Sequence, residues 1–336
     1  MRKKTDVTII VIARNDWPQV ERCLKSLMRQ PGLTTEIVLL NDGSDDGASK
    51  AIKQFASSNK GIKLFEQKYK GLANSRNKAI RQIQGTYTLF VNQDQELLPY
   101  GLQLAYRAAA GSGADVLQLS YMLRDEANHK RQRMVRMPKA GDRPNGGEYI
   151  KAIGGRMQLA TGNYANMIRS EYLKEHLMRF DPRLSDPDFD FFARAVIGAE
   201  RVETTPHPLF ITPLVHETDI EPSDDPVKTT ALELEYVRRN FNEFAENNYL
   251  SGERIKAMRY VRFMHMLETE RGLLAKALPP KDFNKWVHDT RRYVLAFGGW
   301  KHPARIMQRL GLKPLDVRPT KSNKNNTRHN ADKTDA

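Results

Sequence analysis

The chain of 336 residues is short of several things. It has one cysteine, Cys23, which excludes an internal disulfide and any metal site built from several thiolates. No apolar run reaches the 18 or more residues that a membrane-spanning helix needs, so no transmembrane helix is expected. The amino-terminal stretch MRKKTDVTIIVIARND carries basic residues and a short apolar run. It lacks a small-residue cleavage site, and polar Asn15 and Asp16 follow at once, so it reads as a first strand and not as a signal peptide. These absences point to the cytoplasm. Acidic charge is also scarce: 40 Asp and Glu stand against 54 Lys and Arg, for a net charge of +14. Such a balance suggests an anionic partner, among nucleic acid, a phospholipid surface or a phosphorylated substrate. The basic residues form no recognisable nucleic-acid module, so no nucleic acid is expected.

What is present suffices for a folded core, with 40% hydrophobic residues. Val7 to Ile12 is a short, continuous apolar run, the pattern of a strand buried on both faces, and Glu36 to Leu40, Ile62 to Phe65 and Tyr87 to Val91 read as further strands. Between them, Trp17 to Gln30, Ala48 to Ala56 and Leu72 to Gln84 carry apolar residues at helical spacing. Alternating strand and helix predicts a doubly wound, mostly parallel α/β sheet. Further on, the pattern gives a helix to about Ser112, a strand over Asp115 to Tyr121 and a loop or irregular hairpin over Arg124 to Gly147. Helices follow from Tyr149, over Ser170 to His176 and over Phe191 to Ile197, and a helical region from Thr229 to Leu310. The last stretch, RPTKSNKNNTRHNADKTDA, is polar without periodicity and is expected to be disordered.

Ligands of such sheets bind beyond the carboxyl ends of the strands. Polar clusters sit at those ends here: Ala13 to Asp16, Asn41 to Asp46, and Asn92 to Glu96 in the stretch LFVNQDQELLP. One acidic turn is ordinary, whereas clusters that converge on one sheet edge describe a site.

Taken together, VTIIVIARND, EIVLLNDGSDDGA, GLANSRNKAIRQIQGTYTLFVNQDQE and FDPRLSDPDFDFFARAV resemble family-2 glycosyltransferases of the GT-A fold, over roughly residues 6 to 220. The resemblance implies transfer of a sugar from a nucleotide-diphosphate donor, UDP-linked first of all, to an acceptor hydroxyl, with inversion and with a divalent metal, Mn²⁺ or Mg²⁺. The family's metal motif is Asp-x-Asp; here Asp94 matches the second aspartate and Asn92 replaces the first, which implies a weaker metal site. Ala13 and Asp16 match positions at the base or ribose, Asp42 the acid that accepts from a ring N–H of the base, and Arg76 the basic residue near the nucleotide. Asp42 also reads as a turn residue, and Arg76 as the partner of a nearby aspartate. The family's general base aligns with Asp188 in SDPDFDFF, where Pro187 stands in place of the frequent glutamate; Asp186 and Asp190 remain alternatives, since Asp also caps helices. His216 in PLVHETDI is a candidate metal or diphosphate ligand by the same resemblance.

The implied organisation is a transferase domain over residues 1–225, a helical carboxyl-terminal region over 226–315 and a basic tail over 316–336. Basic and aromatic residues interleave at Tyr260, Arg262, Phe263 and Arg271, as they do in helices that lie on anionic lipid. The acceptor is expected to be a surface glycan, a teichoic-acid-like polymer or a lipid-linked molecule, with the enzyme peripheral to the inner face of the membrane. A catalytically silent GT-A scaffold is the alternative; Asn92 and Pro187 speak for it.

Overall fold

The computed structural model describes residues 4–124, 132–137, 139, 142, 144–153, 166–213, 226–262 and 265. Its first half alternates strictly: β1 (Val7–Ala13), α1 (Trp17–Met28), β2 (Thr35–Asp42), α2 (Ala48–Ser58), β3 (Ile62–Gln67), α3 (Leu72–Ile80) and β4 (Tyr87–Asn92). Strands β1 to β4 pair in parallel in the order β3-β2-β1-β4. Strands β1, β2 and β4 are covered on both faces, which explains their apolar runs, whereas β3 at the sheet edge is partly exposed. Val7, Ile9 and Val11 pack with α1 and α2 on one face, and Ile10, Val38 and Phe90 pack on the other with α3 and later helices.

The second half is mixed. It comprises β5 (Glu96–Leu97), α4 (Gly101–Ser112), β6 (Val116–Arg124), β7 (Gln132–Val135), α5 (Gly146–Ile153), β8 (Asn166–Arg169), α6 (Ser170–Glu175), α7 (Pro187–Gly198), β9 (Val202–Pro213) and α8 (Pro226–Asn247). The sheet continues from β4 through β8, β6 and β9 to β5, with β8 antiparallel to both its neighbours and β9 parallel to β6. Among the described residues no helix is long and apolar enough to cross a membrane.

The structure corrects the sequence reading in several places. The third helix stops at Ile80, and residues 81 to 85 turn instead. Strands β8 and β9 occupy segments that had no strand pattern, and β7 makes the irregular region a hairpin with β6. Helix α7 begins at Pro187, so the acidic SDPDFD stretch forms its cap and first turn instead of preceding it. Helix α8 packs Val237, Phe241 and Phe244 into the same core as α7, so this helical region shares the core of the sheet domain. His216 and all residues beyond 265, the expected tail over 316–336 among them, lie outside the described residues.

Candidate functional site

Strand register brings the polar clusters to one edge. Ala13 pairs with Asn41, Ile12 with Asn92, and Asp42 with Gln67, so the ends of β1, β2, β3 and β4 lie side by side. The loops beyond them interlock. Asn15 and Asp45 exchange hydrogen bonds of 2.9 Å, the Asn15 amide donates to Ser44 Oγ at 2.9 Å, and the Asp16 amide donates to Asp46 at 2.7 Å. Asn15 and Asp16 need positive φ (59° and 49°) to do this, a conformation that Asn and Asp tolerate better than most residues. Asp16 also caps α1, accepting from the Gln19 amide. On the other side, Gln93 accepts from the Arg14 amide at 2.8 Å and donates to the Arg14 carbonyl at 3.1 Å.

Asp42 is buried and enclosed by neutral donors. Gln67 Nε2 (2.8 Å) and the Lys70 amide (3.0 Å) donate to one carboxylate oxygen, and the Gly71 amide (2.9 Å) to the other. Asp42 therefore holds the loop that leads into α3. The Asx-type turn belongs to its neighbour: Asn41 Oδ1 accepts from the Ser44 amide and hydroxyl. Gly43 (φ 72°) lets that loop approach, since a Cβ there would lie 2.5 Å from the Tyr69 nitrogen. Tyr69, 60% exposed, carries the Arg14 guanidinium 4.0 Å from its ring centroid. Nothing in the sequence pattern marked Arg14, Asn15, Gln93 or Tyr69, whose partners are 29 or more residues away, except that each stands in or beside a strand-end loop.

Arg76 links the middle of the site. It projects from α3 and is only 2% exposed; it donates from Nη2 to Asn92 Oδ1 at 2.9 Å and from Nη1 to Asp188. The ion-pair reading of Arg76 holds in geometry, and the pair lies at the strand-end edge beside Asn92. Burial pushes its guanidinium down to about 9, with the charge of Asp186 opposing. Phe180 lies below it, 5.1 Å from ring centroid to guanidinium carbon.

The three acids of SDPDFD separate by environment. Asp186 is the N-cap of α7 and accepts from the Asp188 and Phe189 amides; burial pushes its carboxyl up. Asp190 is fully buried and paired with Arg194 at 2.6 Å. Asp188, 14% exposed, is the acid of the three that pairs directly with Arg76 and so reaches the end of β4.

Asp94 lies half-buried in the turn after β4, beside Glu96, which is held by Arg124 at 3.0 Å. Among the described residues no three His, Cys, Asp or Glu side chains gather as a metal cluster. Asn92 directs its oxygen to Arg76, so of the two motif positions Asp94 is the one that offers a carboxylate. One carboxylate completed by substrate phosphates and water suits Mg²⁺ chemistry, so the residues fit an ion that arrives with its nucleotide. A cavity of about 690 Å³ lies apart from this edge, between α6, α7 and α8. Asp181, Arg183, Arg194 and Asn240 on its walls are tied to one another or to Asp190, so we place the site at the strand ends.

Residues 8–177 match the profile of a family described as Glycosyl transferase family 2. The chain is 28% identical over 136 residues to a cholesterol galactosyltransferase of Borreliella burgdorferi, covering 40% of this chain and 38% of that one. It is 32% identical over 100 residues to a teichoic acid poly(glycerol phosphate) polymerase of Staphylococcus epidermidis, covering 29% and 14%. It therefore spans well under two thirds of those relatives. In fold it is similar to S. aureus TarS 1–349, with a TM-score of 0.63 at 15% identity over 90% of this chain and 82% of that one; TarS has also been solved with UDP and with UDP-GlcNAc. With more than half of its length matched by the profile and the GT-A sheet in place, the chain belongs to glycosyl transferase family 2.

Proposed function

We propose that the protein transfers a sugar from a nucleoside-diphosphate donor, UDP-linked first of all, to a hydroxyl of a surface glycan, polymer or lipid-linked acceptor, with inversion. The observation that carries this reading is the meeting of Asp188, Arg76 and Asn92 at the same edge as Asp42 and Asp16. Ala13 and Asp16 border the base and ribose. A carboxylate offers about four lone-pair directions. Asp42 has three donors, which leaves one direction for a ring N–H. Asp188 takes the proton from the acceptor hydroxyl as the bond to the anomeric carbon forms. Asp94, with His216 as a further candidate, would hold a divalent ion, Mn²⁺ or Mg²⁺; that ion supplies charge to the departing diphosphate. The UDP complexes of TarS support the base, and the names of the two relatives support a lipid or polymer acceptor. The net charge of +14 suits such an acceptor at an anionic membrane face on the cytoplasmic side. In this reading residues 1–225 form the transferase domain, 226–315 a helical region docked on it through α8, and 316–336 a basic tail.

The test is thermal stabilisation by UDP, CDP and GDP, each with Mn²⁺ or EDTA, on wild type and Asp94→Ala, followed by nucleotide release from the matching sugar donors. A ligand at 100 times its dissociation constant adds about 2.7 kcal/mol. Stabilisation by UDP that weakens with EDTA and with Asp94→Ala, and turnover that falls about 10²- to 10⁴-fold in Asp188→Asn, are expected. No stabilisation by any nucleotide and no release from any donor would sink the reading in favour of a silent scaffold.

A further inference from the structure

Asn92 stands where the resemblance places an aspartate, and alone that change reads as a lost metal ligand. The structure gives the amide another partner. Its Oδ1 accepts from Arg76 Nη2 at 2.9 Å, while Nη1 of the same guanidinium donates to Asp188. The guanidinium is fixed from below by Phe180, which is stacked on Phe191 of α7 with centroids 3.8 Å apart. Phe90 of β4 packs edge-on to both rings, at 5.4 and 5.7 Å. Sheet, α3 and α7 thus meet at one buried cation.

The charges decide what position 92 can be. A neutral amide orients the guanidinium without claiming its charge, which leaves that charge to its direct partner Asp188 and to Asp186 nearby. An aspartate at 92 adds a further carboxylate against the same guanidinium in a site where Arg76 is 2% and Asp188 14% exposed. Poor screening strengthens the repulsion between the two acids. The new acid also draws Arg76 from Asp188.

We propose that Asn92 is a positioning residue: through Arg76 it fixes the carboxylate of Asp188, and turnover requires the amide at 92. The proposal rests on the reading of Asp188 as general base, and it reverses what the motif alone suggests. Restoring aspartate at 92 damages the enzyme even where it improves metal binding.

The experiment is a double-mutant cycle of wild type, Asn92→Asp, Asp188→Asn and the double variant. Melting temperature is read for all members, and kcat, donor KM and calorimetric Mn²⁺ affinity in the presence of UDP for those that turn over. Asn92→Asp is expected to melt about 5 °C lower. Its kcat is expected to fall at least ~10-fold, of the size that one proton-transfer group contributes, with donor KM changed far less and Mn²⁺ held at least as tightly. Asp188→Asn also melts lower. The double variant, which moves the carboxylate to the other side of Arg76, regains stability above either single variant but not turnover. Additive melting shifts, or an Asn92→Asp enzyme as fast as wild type, overturn the proposal. A wild type that turns over no donor overturns the reading of Asp188 and the catalytic half of the proposal with it. The melting cycle is independent of that failure and still decides whether Asn92, Arg76 and Asp188 form one charge-matched unit.

Discussion

The two walls of the crevice hold their carboxylates by different means. In the loops after β1, β2 and β3, Asp42 accepts from two backbone amides and a glutamine, Asp46 from the Ala48 and Asp16 amides, and Asp16 from the Gln19 amide. The donors are neutral and mostly backbone, and they hold Asp46 below the usual carboxylate range. On the side built by α7, arginines do the holding: Arg76 on Asp188 at the strand-end edge, and, away from that edge, Arg194 on Asp190 and Arg183 on Asp181. Backbone cages fix a loop in one shape and leave nothing to rearrange. An arginine pair stores charge that another anion can compete for. It also leaves a larger debt when one partner is removed, because a buried unpaired charge remains.

The largest expected effect on stability tests that debt. Asp190→Ala strands the guanidinium of Arg194, which is 9% exposed and keeps, among the described residues, the Arg179 carbonyl as its close oxygen partner. Removal of one member of a buried pair costs about 3–5 kcal/mol, read as a fall in chemical-denaturation stability with the slope unchanged. A loss below about 1 kcal/mol, the range of an exposed pair, would erase the distinction between the walls.

The two walls also differed in how much the sequence disclosed. Parallel strands β1, β2 and β4 are buried on both faces, so each announces itself as a local apolar run, and the turn residues at their ends are local as well. The later strands lack such marks. Strand β9 contains Pro206 and Pro208, which argue against a strand; they fit because the pairing with β6 shifts register between Gln118 and Tyr121. Strand β8 is four residues long and lies between antiparallel neighbours, so its identity comes from them. The acids of SDPDFD could be named but not ranked from sequence. What ranks them is a partner 112 residues away for Asp188 and a cap geometry for Asp186. The partner of Asn92 was hidden for the same reason: Arg76 lies on another element, and only the fold brings them together.

A middle-sized effect tests the backbone cage. Asp42→Asn keeps the shape of the side chain but turns an NH₂ towards groups that are themselves donors. A buried donor left unsatisfied costs about 1–3 kcal/mol, and the loop over Lys70 and Gly71 should loosen with it. Hydrogen exchange at those two amides is expected to accelerate while exchange in α7 stays slow. Equal acceleration in both would mean that the walls are one cooperative unit.

The smallest effect concerns pH. His265 stacks on Phe189 at 3.8 Å, and Phe189 in turn faces Phe241 of α8 at 6.4 Å, directly beside Asp188 in sequence. Burial in this stack pushes the imidazole from 6.5 down to about 4, with the charge of Glu233 opposing. The unfolded chain then binds more protons than the folded one between those values, so stability rises with pH across that window. The contribution is fully present above about pH 6.5 and is lost as pH falls towards about 4. Asp186, whose carboxyl is pushed up by burial, acts in the opposite direction over acidic pH, so a wild-type profile alone mixes the two. The difference between wild type and His265→Phe cancels the carboxylates common to both. Phenylalanine keeps the stack and cannot be protonated, so its advantage in melting temperature should grow steadily as pH drops through the window and stay constant above it. Parallel curves at all pH values would mean that the ring is hydrated in solution, and that the stack beside Asp188 is looser than the arginine pair next to it.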